Sequence, residues 1–177
     1  MEIRPLPRGQ YQGYPIHAVY ETSQVYGVRL LERGFFLELE QLETPVVKSW
    51  EDALFGDWLE APVAFGAFEG EALLGVVEGS PEDWHNLFRI SNLFVAQSAR
   101  RQGLGKELLH VMMDYAKHET ACRGIILETQ TCNVPAIRLY ESLGFRLCRM
   151  DLMEYSNEDM EKKEVRIDLM LPIQGGN

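Results

Sequence analysis

Hydrophobic and polar positions follow two regimes along the chain. In the first half the apolar residues come in short runs that suit strands. Residues 25–31 are apolar, Arg33-Gly34 is a turn signal, and in residues 35–42 Leu37 and Leu39 alternate with Glu38 and Glu40. Residues 49–60 carry Trp50, Trp58 and several acids and suit a loop or short helix. Residues 62–68 predict a strand, Glu69-Gly70-Glu71 turns it, and residues 72–77 return as an antiparallel hairpin. After Gly79-Ser80-Pro81 and an acidic loop, residues 87–95 form a further strand. Residues 1–13, with Pro5, Pro7 and two glycines, suit a loose start. The first half is mostly β, in meander order.

The period then becomes helical. Leu104, Leu108, Met112 and Ala116 lie on one stripe, widened by Leu109 and Tyr115, so a helix runs over 104–118 and stops by Gly124. Ile125-Ile126-Leu127 is a β-branched run that suits a buried strand flanked by helices. Strand, helix, strand implies a parallel, right-handed crossover. Asn133 is a good N-cap for the next helix, Pro135 is tolerated in its first turn, and Gly144 stands where a C′ residue belongs. Residues 145–152 form a strand, 156–163 a polar loop, and 165–171 alternate as the last strand. Residues 174–177 suit a frayed tail. The expectation is α+β (α/β mixed), with a central twisted, mostly antiparallel mixed sheet flanked by helices.

Composition narrows this picture without redirecting it. The 177 residues fit one domain, with an elaborated N-terminal part over 1–60 and a core over 61–172. A net charge of −10 argues against nucleic acid and is compatible with a cationic ligand. No apolar run is long enough to cross a bilayer, and the N-terminus has no apolar signal region. Cys122, Cys132 and Cys148 lack metal-like spacing and suit reduced thiols in the cytoplasm.

Chemistry concentrates between residues 93 and 145. Arg100-x-x-Gly103-x-Gly105 precedes a helix, where glycines let the backbone approach a phosphate and first-turn N–H groups bind its oxygens. Arg100, Arg101 and Lys106 add positive charge at that end. Glu107 follows Lys106 and the upstream glycine is missing, so this is not a Walker loop. Leu108 occupies the third glycine position of the dinucleotide fingerprint, so it is not that either. Glu128 lies at the carboxyl end of a parallel strand, where α/β sheets place ligands, and Tyr140 lies on the helix that follows. A carboxylate can take a proton and a phenol can give one. Either residue alone also suits a structural role, as a solvated acid or a core aromatic. Cys132 has no adjacent histidine to activate it. His110, Asp114 and His118 share helical spacing that could suit a metal, but it is first the pattern of a solvated face.

Leu93-x-Val95, Arg100-x-x-Gly103-x-Gly105 and Asn133-x-x-Ala136-x-x-Leu139-Tyr140-x-x-x-Gly144-Phe145 resemble the GNAT acetyltransferase superfamily. The likeness covers residues 87–152. Within that superfamily, residues 127–136 with Asp151-Leu152 look most like the streptothricin acetyltransferases. The resemblance implies acetyl-CoA as donor and no metal. Its pyrophosphate would lie on the loop Arg101, Gln102, Gly103, Leu104, Gly105 and Lys106. Its pantetheine arm would pair with the strand ending in Phe94 and Val95. The Leu93 N–H would polarise the acetyl carbonyl, and Asn133, with Ala136 in the same motif, would hold the arm. Glu128 would be the base and Tyr140 the acid. Some relatives carry histidine bases on the strand before Leu-x-Val; here those positions are Arg89 and Ser91.

The implied function is transfer of acetyl to a primary amine of a small basic molecule, streptothricin-like or a polyamine, by a monomer or homodimer. Acetylation of a protein N-terminus or lysine is the alternative on the same fold. A non-catalytic acyl-CoA sensor is a third, against which the Glu128–Tyr140 pair speaks.

Overall fold

The computed structural model describes residues 1–173, so the expected tail at 174–177 lies outside the described residues. Seven strands share one mixed sheet in the order β1-β4-β5-β6-β7-β9-β8, and β2 and β3 form a two-stranded sheet. These strands are β1 (Glu2–Pro5), β2 (Pro15–Leu31), β3 (Gly34–Ala53), β4 (Val63–Glu69), β5 (Ala72–Glu82), β6 (Leu87–Val95), β7 (Gly124–Gln130), β8 (Arg146–Asp151) and β9 (Arg166–Pro172). The helices are α1 (Arg8–Tyr11), α2 (Leu104–Glu119), α3 (Val134–Ser142) and α4 (Asp159–Lys162). The described residues divide into two compact units: residues 1–18, 51–127 and 171–173 make the first, and residues 19–50 and 128–170 the second.

In the first unit β4 and β5 form the expected antiparallel hairpin, β5 continues antiparallel to β6, and β6 runs parallel to β7 through Phe88↔Ile125 and Ile90↔Leu127. The parallel pairing follows from the α2 crossover. The α2 stripe is as the period predicts: Leu104, Leu108, Leu109, Met112, Met113 and Ala116 are all buried. Ile125, Ile126 and Leu127 are likewise inaccessible. A second cluster joins Leu6, Ile16, Leu54, Phe55, Phe68 and Val76, with Phe94 packed against it.

Between Glu78 and Gly79 the β5–β6 ladder shifts register: Glu78 faces Asn92 while Gly79 faces Ile90. Ser91 is therefore the extra residue of a β-bulge. Gly79 permits it, because a Cβ there would lie 2.8 Å from the Arg89 carbonyl oxygen.

In the second unit β2 and β3 are joined by a turn at Glu32-Arg33, and β8 pairs antiparallel with β9. Thr131 is a node. Its carbonyl accepts from the Tyr26 N–H at 2.9 Å, its N–H donates to the Val165 carbonyl at 2.9 Å, and its hydroxyl donates to the Lys163 carbonyl at 3.0 Å. Ion pairs Lys48–Glu164 and Lys163–Glu40 tie β3 to the segment before β9.

Four expectations change. Residues 1–13 are not a loose start: β1 pairs antiparallel with β4, and α1 follows. The order is not a meander, since β2 and β3 stand in their own sheet. Trp50 lies on β3 rather than in a loop, because that strand runs to Ala53. The α2 helix ends at Glu119 with Thr120 as its C-cap, and Gly124 opens β7 instead. A four-residue strand ending in proline gives little apolar alternation to detect, and the alternation that marks β2 and β3 as strands does not say which sheet they join.

Replacing Leu108 with Ala removes packing from a fully inaccessible position on α2. It is expected to cost about 2–5 kcal/mol, read as a lower urea midpoint with an unchanged m-value.

Candidate active site

The phosphate-type features lie in the first unit. Gly103 caps α2 with φ +89°, the left-handed region, and no side chain caps that end. The first N–H groups of a helix lack intrahelical partners and point outward. A Cβ on Gly103 would meet nothing within 4 Å, so the backbone is open to a ligand there. Arg101 is also left-handed, at φ 59°, which turns the loop sharply just before the helix. Arg101, Gln102 and Lys106 are exposed, Arg100 and Gly105 are half-buried, and Leu104 anchors the helix in the core. The Arg100 Nε donates to the Val95 carbonyl at 2.9 Å, tying the loop to the end of β6. Leu93, Phe94 and Val95 are half-buried on that strand, opposite Val77, Val76 and Gly75. An anion with an extended arm fits this donor set and strand end.

The acid–base features lie in the second unit. Glu128 is an exposed residue of β7. Its carboxylate accepts from the Tyr155 hydroxyl at 3.0 Å and pairs with the Arg166 guanidinium at 3.0 Å. Arg166 also pairs with Glu154 at 2.5 Å and with Asp168 at 3.3 Å. Asp168 is buried and lies 3.6 Å from Arg149. A cavity of about 250 Å³ is lined by Arg149, Met150, Asp151, Glu154, Arg166 and Asp168. Burial, then the neighbouring Glu128 charge, pushes the Tyr155 phenol above the usual tyrosine range.

Asn133 caps α3 as expected, its side-chain oxygen accepting from the Ala136 N–H at 3.3 Å. The carboxamide nitrogen is not part of that cap. Tyr140 is 8% exposed, with its ring 6.3 Å from that of Phe145, and burial pushes its phenol up to about 12. The hydrogen-bond partner of Glu128 is thus Tyr155, not Tyr140. Cys132 is buried beside the Tyr20 hydroxyl at 3.2 Å, and burial raises its thiol. That is the opposite of what a nucleophilic thiolate needs.

Sequence reasoning did not single out Tyr155, Glu154, Arg166 or Asp168. One signal was present: Arg166 and Asp168 are alternate residues of a strand, which places both side chains on one face. Among the described residues no group of three or more His, Cys, Asp or Glu could hold a metal ion, and no helix is long and apolar enough to cross a membrane.

Comparison with known proteins identifies the family. The sequence profile of the Acetyltransferase (GNAT) family matches residues 28–145. A streptothricin acetyltransferase of Escherichia coli is 30% identical over 167 residues, covering 93% of this chain and 91% of that protein. The catalytic subunit NAA20 of the N-terminal acetyltransferase B complex of Arabidopsis thaliana is 34% identical over 113 residues, 57% of this chain and 63% of that protein. A crystal structure from Bacillus anthracis str. Ames, assigned as a streptothricin acetyltransferase and in complex with acetyl coenzyme A, shares the fold. Its TM-score is 0.72 at 22% identity, over 97% of this chain and 98% of that one. With the profile spanning both the glycine loop and the Glu128–Tyr140 segment, the chain belongs to the GNAT acetyltransferase family and is an acetyl-CoA-dependent N-acetyltransferase.

Proposed function

We propose that the protein acetylates a primary amine on a small basic molecule, with a streptothricin-type compound as the leading acceptor. The observation that carries this reading is the similarity to a streptothricin acetyltransferase along nearly the whole of both chains. The second unit supports it electrostatically. Glu128, Glu154, Asp151 and Asp168 outnumber Arg149 and Arg166 in and around one cavity, an environment that favours a cation. The chain as a whole carries −10, which attracts polycations at a distance.

The donor is held by two sets of residues of the first unit. The first-turn N–H groups of α2, with Arg101 and Lys106, bind the pyrophosphate. The Phe94–Val95 backbone pairs with the pantetheine arm, and the Leu93 N–H donates to the acetyl oxygen as negative charge gathers on it. In the second unit, the Asn133 carboxamide N–H holds the arm.

A free alkylamine titrates near 10.4, so at neutral pH on the order of one molecule in a thousand is nucleophilic. Glu128 takes the ammonium proton, directly or through a water. The amine nitrogen then attacks the thioester carbon, the carbon–sulfur bond breaks, Tyr140 gives its proton to the departing thiolate, and the proton lost from the new amide nitrogen returns to the phenolate. Burial, which holds the phenol near 12, keeps Tyr140 protonated at neutral pH. Tyr155 and Arg166 fix the Glu128 carboxylate in place, so its orientation does not depend on the acceptor. The cysteines stand as thiols, which fits a reducing cytoplasm.

A second reading, acetylation of a protein N-terminus, is favoured by the likeness to NAA20. The two separate in one assay. CoA release is followed with streptothricin, with a panel of polyamines and amino sugars, and with short peptides bearing free N-termini. Release with streptothricin is expected. Turnover of peptides alone would transfer the protein to the second reading, and no release with any amine would end both.

Replacing Glu128 with Gln should lower kcat/KM by about 10²–10⁴-fold and abolish the fall in rate towards acid pH. A retained acid limb would assign the proton to another group.

Tyr140→Phe should lower kcat by a similar factor of about 10² or more while leaving CoA affinity unchanged. The same variant has a stability signature. Below pH 10 both folded and unfolded chains keep the Tyr140 proton; between the ordinary 10.0 and about 12 only the folded chain does. Wild-type stability should therefore drain over that interval, and Tyr140→Phe should lose less of it, as followed by thermal melts from pH 9 upward.

A further inference from the structure

We propose that Glu78 is the positioning residue that sets the Leu93–Val95 segment for the thioester, an inference that rests on the donor role given to that segment above. Glu78 lies on β5 and is 0% exposed. Its carboxylate spans the β-bulge: Oε2 accepts from the Asn92 Nδ2 at 3.0 Å and from the Ser91 hydroxyl at 3.3 Å. Oε1 accepts from the Phe55 N–H at 2.5 Å. The Asn92 amide also donates to Asp52 at 3.0 Å, so one carboxamide joins two carboxylates.

A carboxyl group taken wholly out of water is costly unless its oxygens are hydrogen-bonded. Here three donors meet it, and none is a lysine or arginine. Such an arrangement is a poor source of net stability. What it supplies is geometry on both sides of residues 93–95. On the chain side it holds Ser91 and Asn92, the residues at which the ladder slips by one just before Leu93. On the core side it holds Phe55, a non-glycine residue in the left-handed region at φ 60°. The Phe55 side chain belongs to the cluster against which Phe94 packs. Without an acceptor at position 78 the Phe55 N–H would be buried unsatisfied. The bulge would then lose the group that spans it. Glu78 need not touch the acceptor or the reacting atoms; it acts through Asn92, Ser91 and Phe55.

The test uses the full chain with Glu78→Gln and, as a milder change, Asn92→Ala. Gln keeps one acceptor for Phe55 but turns an N–H toward the Asn92 amide. Glu78→Gln should lower kcat by about ten- to a hundredfold, the scale of a small misplacement of reacting groups. Asn92→Ala should lower it less. In both, the Kd for CoA by calorimetry should rise by a smaller factor than kcat falls, because the phosphate loop is untouched while only the arm-pairing strand end shifts, and the pH–rate profile should keep its shape.

Unchanged kcat in both variants would overturn the proposal. So would an equal loss of CoA binding, which would mean a general structural role, or a lost acid limb, which would make Glu78 a base. If Glu78→Gln does not fold, Asn92→Ala decides by the same readouts. If wild-type protein releases no CoA with any amine, the functional reading fails on its own. The positioning claim is then judged by hydrogen exchange in the ligand-free variants. Faster exchange at Phe55 and across residues 91–95 supports it, and unchanged exchange overturns it.

Discussion

One extra residue in β6 is the constraint on which the geometry of the strand end and the glycine loop depends. A strand presents alternate residues to opposite faces, so a slip of one reverses every later side chain relative to its partner strand. Ser91 makes that slip between Ile90, still in the buried core, and Leu93. Upstream, the strand is locked into the sheet by Phe88 and Ile90. Downstream, its half-buried residues and carbonyls are redirected, and the Val95 carbonyl becomes the acceptor for Arg100 of the glycine loop. The loop's own geometry follows from two left-handed residues, Arg101 and Gly103, which turn the chain so that α2 begins with its N–H groups uncapped. Strand end and loop are thus two consequences of local backbone departures, each held by a specific partner.

The second unit solves a different problem, that of holding charge. Arg166 serves three carboxylates, Glu128, Glu154 and Asp168, and Asp168 in turn lies between two arginines. Such a network is worth more as a frame than as stability, because exposed pairs contribute little and buried ones repay most of their gain as desolvation. The frame fixes the carboxylate on which the proposed base chemistry turns. Tyr140 stands apart from it, buried against Phe145, where removal from water rather than a charged neighbour determines its proton affinity.

Much of this was legible in the order of residues. The α2 stripe, the buried Ile125-Ile126-Leu127 strand, the Asn133 cap and the Gly144 stop all follow from periods and caps that act within a few residues. The motif spacing pointed to the family for the same reason: glycine, arginine and asparagine at those places answer local backbone demands. What escaped was non-local. Nothing near β1 in sequence announces that it pairs with β4, some sixty residues on. Glu78 was a lone acid at the end of an apolar run, a signal without an address.

The sequence by itself therefore determined α2, the buried β7 run, the Asn133 cap of α3 and the glycine turn before α2, though not the α4 turn at Asp159–Lys162, since these depend on patterns closed within one or two turns of chain. The tertiary structure alone decided which partners each charged group received. Tyr155 and Arg166 on Glu128, and Phe55 and Asn92 on Glu78, are separated from them by between 14 and 38 positions. A carboxylate, buried like Glu78 or exposed like Glu128, takes whatever donors the packed fold brings within 3 Å, and no pattern along the chain encodes that distance.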